Sequence, residues 1–573
     1  MDLALISCVI RISCENPMKL VPGIAVLAAF VFVSQTAIAQ QKQLTPQQQR
    51  AKAHRLMLKE MGIKMGKAPI AESDAIETRM DVVYAQYGDR KLHLDLFIPR
   101  KKSDKTAAIV VVHGGGWFKG DRESFHALSA NLAMRGYVTA AIEYRLADEA
   151  NFPAAIHDCN AATRWLRANA SDLGIDPNRI AAVGGSAGGH LVGLMAAGSH
   201  RAELQGDGGN ADQSSELQAA VVFAGPMQMT TGSVAERSRT KPDQSNSNRW
   251  LGKSIDEAPQ LYALAAPFKQ LTAKTPPMLF AVGELDKPER NAPMRKKLRE
   301  LGVASKVMAY RYGRHGCWNQ EPWFHPMSAD VDEFVQSVLG GPGGEVQPLV
   351  LSTDDNIVAF NDRIEVAVGK VTKKTKIEIP RLNNQRRKVF VKGTDTEVTL
   401  KSRQTKWELM VTPEHSGETV IIETVGRPHL ARVPRIVSAA ADGTVVLPAH
   451  EAVPHGEKLM YEPEPHKNTV GYWVNPKDWV EWHFYTETPG TYALHVLQGC
   501  GKGHGGSEVA VQLGDQTVDF VVEDTGHFQN FKDREIGRFE ITKPGVYTLK
   551  IVPKKKAKVA IMDVRQVRLV PAG

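Results

Sequence analysis

The chain predicts an α/β domain built on a doubly wound, mostly parallel sheet, followed by one or two all-β sandwiches. Three observations carry this expectation. Between residues 80 and 340, short apolar runs alternate with helix-like stretches at the spacing of βαβ units. Gly340-Gly341-Pro342-Gly343-Gly344 then breaks the pattern in the manner of a flexible linker. Beyond it, apolar and polar residues alternate with the period of half-buried strands. At 573 residues the chain exceeds what one ordinary core serves, so several domains are expected.

Residues 1–39 read as a secretory signal peptide. Lys19 precedes an apolar run over residues 20–33, and Ala37-Ile38-Ala39 supplies a small-x-small cleavage site before Gln40. Met18 suits this signal better as a start than Met1. The run is short for a membrane span, so the mature chain is expected to have no transmembrane segment and to be secreted or periplasmic. Cys8 and Cys14 fall in or before the signal, which leaves Cys159, Cys317 and Cys500. An odd count leaves at least one thiol free, and neither C-x-x-C nor zinc spacing occurs. The cysteines are therefore read as structural, with no metal site and no cofactor expected. The formal charge of +8 is spread along the chain rather than gathered in a tail, and nucleic acid is not an expected partner.

Residues 40–79 are a Gln-rich linker with one peripheral helix. Val82 and Tyr84, then Leu92, Leu94, Leu96 and Ile98, alternate around Gly88-Asp89 as a β-hairpin. Residues 105–112 end in a continuous apolar run, the mark of a strand buried on both faces. Helices are predicted over 124–135, 154–170, 290–301 and 328–339, and strands over 137–144, 217–224, 278–282 and 305–310. Asp176-Pro177-Asn178 reads as a turn into one further strand, which ends at Gly184-Gly185-Ser186-Ala187-Gly188.

That G-x-S-x-G run stands between a strand and a helix, the setting of a nucleophile elbow that lifts the serine hydroxyl clear of the backbone. Upstream, His113-Gly114-Gly115-Gly116-Trp117 follows an early strand. Glycines there let backbone N–H groups approach a substrate oxygen, so Gly115, Gly116 and Ala187 are the candidate oxyanion donors. The strand over 278–282 leads into Asp286, with Glu284 as its nearest rival for the acid. The strand over 305–310 leads into His315, while His113, His157 and His190 are read as structural. The order Ser186, Asp286, His315 is that of α/β-hydrolases, unlike chymotrypsin or subtilisin.

His113 to Trp117, Glu143-Tyr144-Arg145-Leu146, Phe152-Pro153-Ala154-Ala155-Ile156-His157-Asp158 and residues 184–190 resemble the HGGG-bearing α/β-hydrolases. Within these the chain is similar to the hormone-sensitive-lipase-like esterases and, more closely, to the bacterial feruloyl and acetyl xylan esterase-like group. The resemblance spans roughly residues 80–340 and implies carboxylic-ester hydrolysis. It implies Ser186 as nucleophile, His315 as base, Asp286 as orienting acid and the glycine-loop amides as oxyanion donors, with Arg145 and Asp158 structural. Two positions depart from the family pattern: Arg314-His315-Gly316 stands where G-H-x is usual, and Lys287-Pro288 where Val-Pro is common. The polar stretches 201–215 and 233–248 lack the apolar face of a lipase lid, which favours a water-soluble or polysaccharide-linked ester or leaves them as plain surface loops.

The β-rich third divides into 345–435 and 436–573. Ile364, Val366 and Val368 alternate, as do Val509, Val511 and Leu513, then Val518, Phe520 and Val522 across Gly514-Asp515. Residues 471–482, Pro489-Gly490-Thr491-Tyr492 and Pro544-Gly545-Val546-Tyr547 resemble the jelly-roll, galactose-binding-like modules of secreted glycan-degrading enzymes. That resemblance makes Trp473, Trp479 and Trp482 candidates for stacking on a sugar. The expected function is a secreted serine carboxylesterase that removes acetyl or feruloyl groups from carbohydrate esters through an acyl-enzyme. The alternatives are a non-catalytic carbohydrate-binding or surface-assembly protein, or a general short-acyl esterase.

Overall fold

The computed structural model describes residues 46–350, 356–431 and 433–572. The expected signal peptide, with Met18, Cys8 and Cys14, lies outside them. The chain divides into two units, one ending at Ile63 and one spanning Lys64–Gly573. The first contributes helix α1 (Pro46–Glu60).

In the second unit, β1 (Ile76–Tyr87) and β2 (Arg90–Pro99) form the expected hairpin, with Tyr87 opposite Arg90 across Gly88-Asp89. There follow β3 (Thr106–Val112), α2 (His126–Met134), β4 (Val138–Ile142), α3 (Ala154–Ala168), β5 (Ile175–Gly185) and α4 (Ala187–Gly198). Then come β6 (Ala219–Phe223), α5 (Gly232–Thr240), α6 (Asn246–Leu251), β7 (Met278–Gly283), α7 (Ala292–Glu300), β8 (Ser305–Tyr310) and α8 (Phe324–Leu339). The strands lie in the order β1-β2-β4-β3-β5-β6-β7-β8, with the β1–β2 and β2–β4 pairs antiparallel and the other pairs parallel. Every residue of β3, β4 and β6 is buried, as their valine- and alanine-rich runs require when helices cover both faces. The strand order reverses around β3. Loops leaving the carboxyl ends of β3 and β5 there part to either side and leave a crevice.

Two local expectations are corrected. Asp176-Pro177-Asn178 is not a turn but an irregularity inside β5, where the pairing with β3 shifts between Thr106–Ile175 and Ala108–Ile180. Nor is Gly340 to Gly344 a free linker. The Ser103 N–H donates to the Gly343 carbonyl (3.0 Å), the Ala107 N–H to Pro342 (2.7 Å), and the Gly344 N–H to Gly136 (3.0 Å). These bonds pin the segment against the start of β3 and against Gly136 before β4.

The following β-rich region holds two separate apolar cores. One runs from Ile357 to Ile422 around buried Trp407, and the other from Val445 to Leu569. Strand β9 (Arg435–Ser438) pairs antiparallel with β8, setting Arg435 against Tyr310 and Ile436 against Ala309. On its other side β9 pairs in parallel with β10 (Trp479–Thr486), so the α/β sheet continues into the last β module without a break. Beyond β10, β11 (Glu508–Leu513) and β12 (Gln516–Val521) make the hairpin read around Gly514-Asp515.

The tryptophan expectation is also corrected. Trp473 and Trp482 are buried in the last core, where their indole N–H groups donate to the Asp478 and Pro448 carbonyls, each at 2.9 Å. A ring enclosed in this way offers no face to a sugar. Half-buried Trp479 stacks on His455, with centroids 3.8 Å apart and planes 7° from parallel. Cys159, Cys317 and Cys500 are all free and buried. No helix among the described residues is long and apolar enough to cross a membrane.

Candidate active site

Ser186 sits at the turn from β5 to α4 with φ 57° and ψ −116°, a backbone conformation that costs a non-glycine residue about 1–3 kcal/mol. Backbone hydrogen bonds hold it there. Its N–H donates to the Phe223 carbonyl (2.7 Å), and its carbonyl accepts from His190 (2.9 Å). Gly188 is required for the close approach of β3, since a Cβ there would lie 2.2 Å from the Val112 carbonyl oxygen.

The loops after β7 and β8 bring the other two groups to the serine. His315 Nε2 lies 2.8 Å from Ser186 Oγ, and Nδ1 lies 2.5 Å from Asp286 Oδ2. A carboxylate only accepts, so Nδ1 carries the proton and Nε2 is free to accept from the serine hydroxyl. Asp286 Oδ1 accepts from Arg290 Nη2 at 2.5 Å, which pins the carboxylate from its far side. Lys287, at φ 60°, turns the chain sharply after the acid and accommodates the sequence departure noted there. Glu284, the rival acid, is ion-paired with Arg311 and accepts from the Tyr312 N–H (2.9 Å). It ties the acid loop to the histidine loop and does not reach His315. Trp318 presents its ring edge-on to His315 (5.2 Å) and packs against the elbow at Gly185.

Gly116 and Ala187 line the same cleft as Ser186, and neither backbone N–H has a protein acceptor among the described residues. The Gly115 N–H likewise has no protein acceptor among the described residues, and this glycine also shapes the loop. At φ 122° its missing Cβ would fall 1.8 Å from the Lys119 carbonyl oxygen. Trp117 forms the floor behind this loop, stacked on Trp250 at 5.0 Å with His190 edge-on to both rings. His190 Nε2 donates to the Ala265 carbonyl (2.8 Å), and Nδ1 accepts from the Trp117 indole (3.3 Å). Burial holds the His190 pKa down at about 4, from the ordinary 6.5. Burial also lowers that of His113, which stacks on Tyr144.

A pH dependence of stability follows. The folded state keeps His190 neutral, whereas the unfolded chain binds a proton once the pH falls below 6.5. The stabilisation is therefore complete above pH 6.5 and is lost as the pH drops toward 4, on the order of 3 kcal/mol from this group. Thermal midpoints recorded across that interval are expected to fall steadily, and a flat profile would contradict this account of His190.

The cleft has a volume of about 490 Å³. One wall comes from α5 and α6, in the stretch read as a polar loop. Ser245 caps α6 by accepting from the Asn248 N–H (3.3 Å), and the wall contributes Ser233, Arg237 and Asn246 to the lining. Asn246 stands against the oxyanion loop, its Nδ2 2.6 Å from where a Cβ on Gly116 would be. The opposite rim carries Leu285, Lys287 and Arg290. Residues 201–215 supply nothing to the lining, and three of their carbonyls are held by the Arg164 guanidinium. Arg145 and Asp158 form a bidentate ion pair (2.7–3.1 Å), the structural role expected of them. Among the described residues no group of three or more His, Cys, Asp or Glu side chains is arranged to hold a metal ion.

Of these residues, Arg290 had a sequence signal in its i+4 spacing from Asp286. Asn246 and Arg237 had none, since only the folded wall brings them to the serine.

Comparison with known proteins fits this geometry. Residues 94–292 match the family described as BD-FAE, and residues 462–571 match a domain of unknown function, DUF5077. A probable carboxylic ester hydrolase, LipM, of Mycobacterium tuberculosis is 33% identical over 215 residues, covering 36% of this chain and 47% of its own. An arylesterase of Saccharolobus solfataricus is 34% identical over 147 residues, covering 26% of this chain and 44% of its own. The chain spans about half the length of the curated relatives it matches. Among solved structures, a truncated carbohydrate esterase from gut microbiota aligns over 48% of this chain and all of its own, at 23% identity and a TM-score of 0.42. A bifunctional GH43-CE protein of Bacteroides eggerthii aligns over 47% of this chain and 38% of its own, at 26% identity and a TM-score of 0.40. The fold of residues 76–339 is that of the α/β-hydrolases, with the serine elbow, glycine loop, acid and histidine at the positions that fold uses for them.

Proposed function

We propose that this chain is a secreted serine carboxylesterase that removes acetyl or feruloyl groups from carbohydrate esters. The observation that carries the reading is the continuous relay from Ser186 Oγ through His315 to Asp286, opening onto a polar cleft. The named esterases among the relatives support the ester-hydrolysing part of it. The polar side chains that α5 and α6 bring to the cleft, among them Ser233, Arg237 and Asn246, support a water-soluble substrate.

In the forward half-reaction His315 Nε2 takes the Ser186 proton as Oγ bonds to the ester carbonyl carbon. Asp286 stabilises the imidazolium through Nδ1–H. The carbonyl oxygen becomes an anion facing the free N–H groups of Gly116 and Ala187, where each such donor lowers the barrier by about 3–4 kcal/mol. The C–O bond to the alcohol then breaks, and His315 returns the proton to the leaving sugar oxygen. Water repeats the sequence on the acyl-enzyme, releasing the acid and restoring the serine hydroxyl.

The test is a screen of acetylated and feruloylated oligosaccharides, following acid release. Release from at least one carbohydrate ester, at a kcat/KM above that for simple alkyl esters, is expected. Turnover of alkyl esters alone would remove the carbohydrate assignment and leave a general esterase. A second expectation concerns the glycine loop. Gly115→Ala forces the loop away from Lys119 and misplaces the Gly116 N–H, so kcat should fall ~10²-fold, as when an oxyanion donor is lost. Steady-state kinetics check this, and an unchanged kcat would remove the glycine loop from the oxyanion hole.

A further inference from the structure

The charge of the cleft is one-sided. Three cationic side chains line it, Arg237 from α5 and Lys287 and Arg290 from the acid loop and the turn after it. The lining contains a single carboxylate, Asp286, and both of its oxygens are engaged, one by His315 and one by Arg290. Arg237 and Lys287 are exposed and make no ion pair among the described residues. For the arginine this is uncommon, since most exposed arginines of the α/β unit are paired, as Arg239 is with Asp256 and Arg249 with Asp148. Exposed lysines of the unit, like Lys287, mostly have no ion pair among the described residues. Two cations without an ion-pair partner among the described residues thus line the cleft that holds the reactive serine.

The rest of the wall suits a carboxylate carried on a polar frame. Ser233 and Asn246 offer hydroxyl and amide groups beside Arg237, while Leu285 and Val234 leave room for an uncharged portion. A cleft of one sign concentrates ligands of the other and orients them on arrival.

We propose that the ester taken by this site bears a carboxylate group, bound by Arg237 and Lys287 while Ser186 attacks the ester carbonyl. This deepens the esterase reading and rests on it. The carboxylate has two possible sources, an acidic sugar that carries the acyl group or a dicarboxylic acid esterified at one end. The chemistry of recognition is the same for both.

Two matched pairs of substrates distinguish them. An O-acetylated methyl glucuronoside is compared with the O-acetylated methyl glucoside, and monoethyl succinate with ethyl butyrate, using the full-length protein at low ionic strength. The expected result is a ~10-fold or greater kcat/KM advantage for the anionic member of one pair, the size that electrostatic focusing supplies. The pair that shows it identifies the source. The advantage should collapse in 1 M salt, where the screening length is about 3 Å. In an Arg237→Gln/Lys287→Gln double variant the anionic-to-neutral ratio should fall to near unity, with turnover of the neutral member by the same variant reporting an assembled site. A ratio at or below unity in both pairs, with neutral esters still hydrolysed through Ser186, would overturn this inference and leave the esterase reading intact. A ratio that persists in the double variant would overturn the assignment to these two residues. Absence of any ester hydrolysis would overturn both readings together.

Discussion

Ser186→Ala is expected to lower kcat/KM for p-nitrophenyl acetate by ~10⁴-fold or more, because the three groups act as a unit and loss of the nucleophile removes the covalent route. The fold should survive. The elbow is held by backbone bonds from Ser186 N–H to Phe223 and from His190 N–H to the Ser186 carbonyl, neither of which uses the hydroxyl. Alanine at φ 57° is strained no more than serine. The kinetic loss should therefore come with an unchanged circular dichroism spectrum and thermal midpoint. A variant that is both inactive and unfolded would not isolate the hydroxyl, so the stability measurement belongs to the prediction. Residual turnover within ~10-fold of the parent would mean that another group attacks the ester.

The second large effect concerns stability. Asp332, on α8, is fully buried and accepts from Arg135 (3.2 Å) and Tyr137 (2.7 Å), and it is ion-paired with Arg427 of the β-rich region. Burial pulls both arginines down to a pKa of about 10. Asp332→Ala leaves two guanidinium groups buried without their counter-ion, which should cost about 3–5 kcal/mol. The cost comes from stranding the partners, not from the net worth of the ion pair. Denaturant unfolding is the check, and a change below ~1 kcal/mol would contradict this account of Asp332. Because Arg427 follows the first sandwich and Asp332 belongs to the hydrolase, the same variant reports how firmly the β-rich region is attached. The β8–β9 pairing points the same way, as it ties the strand that leads to His315 directly to that region.

The alternation of strands and helices was legible because β3, β4, β6 and β7 are continuous buried runs, a pattern that sequence displays directly. Ser186, Asp286 and His315 were legible because each lies just past a strand end, where loop chemistry stands apart from core chemistry. What escaped the sequence depends on packing between distant segments. Asn246 and Arg237 reach the serine only once α5 and α6 fold over the cleft. The glycine-rich stretch 340–344 carries every sign of a linker, and only its bonds to Gly136, Ser103 and Ala107 show that it is pinned. Trp473 and Trp482 have the composition of sugar-binding platforms. Alternation along β10 and the turn before it sends them inward, a choice fixed by strand register and not by residue type.

The central claim is that Ser186 is a nucleophile, and covalent labelling tests it most directly. Phenylmethylsulfonyl fluoride should react at Ser186 Oγ with loss of fluoride, and peptide mass spectrometry should place a single phenylmethylsulfonyl group on the peptide carrying Ser186. Esterase activity should disappear in proportion to that label, and Ser186→Ala should take up none. Inactivation with the label on another residue, or full labelling of Ser186 with activity retained, would contradict the account.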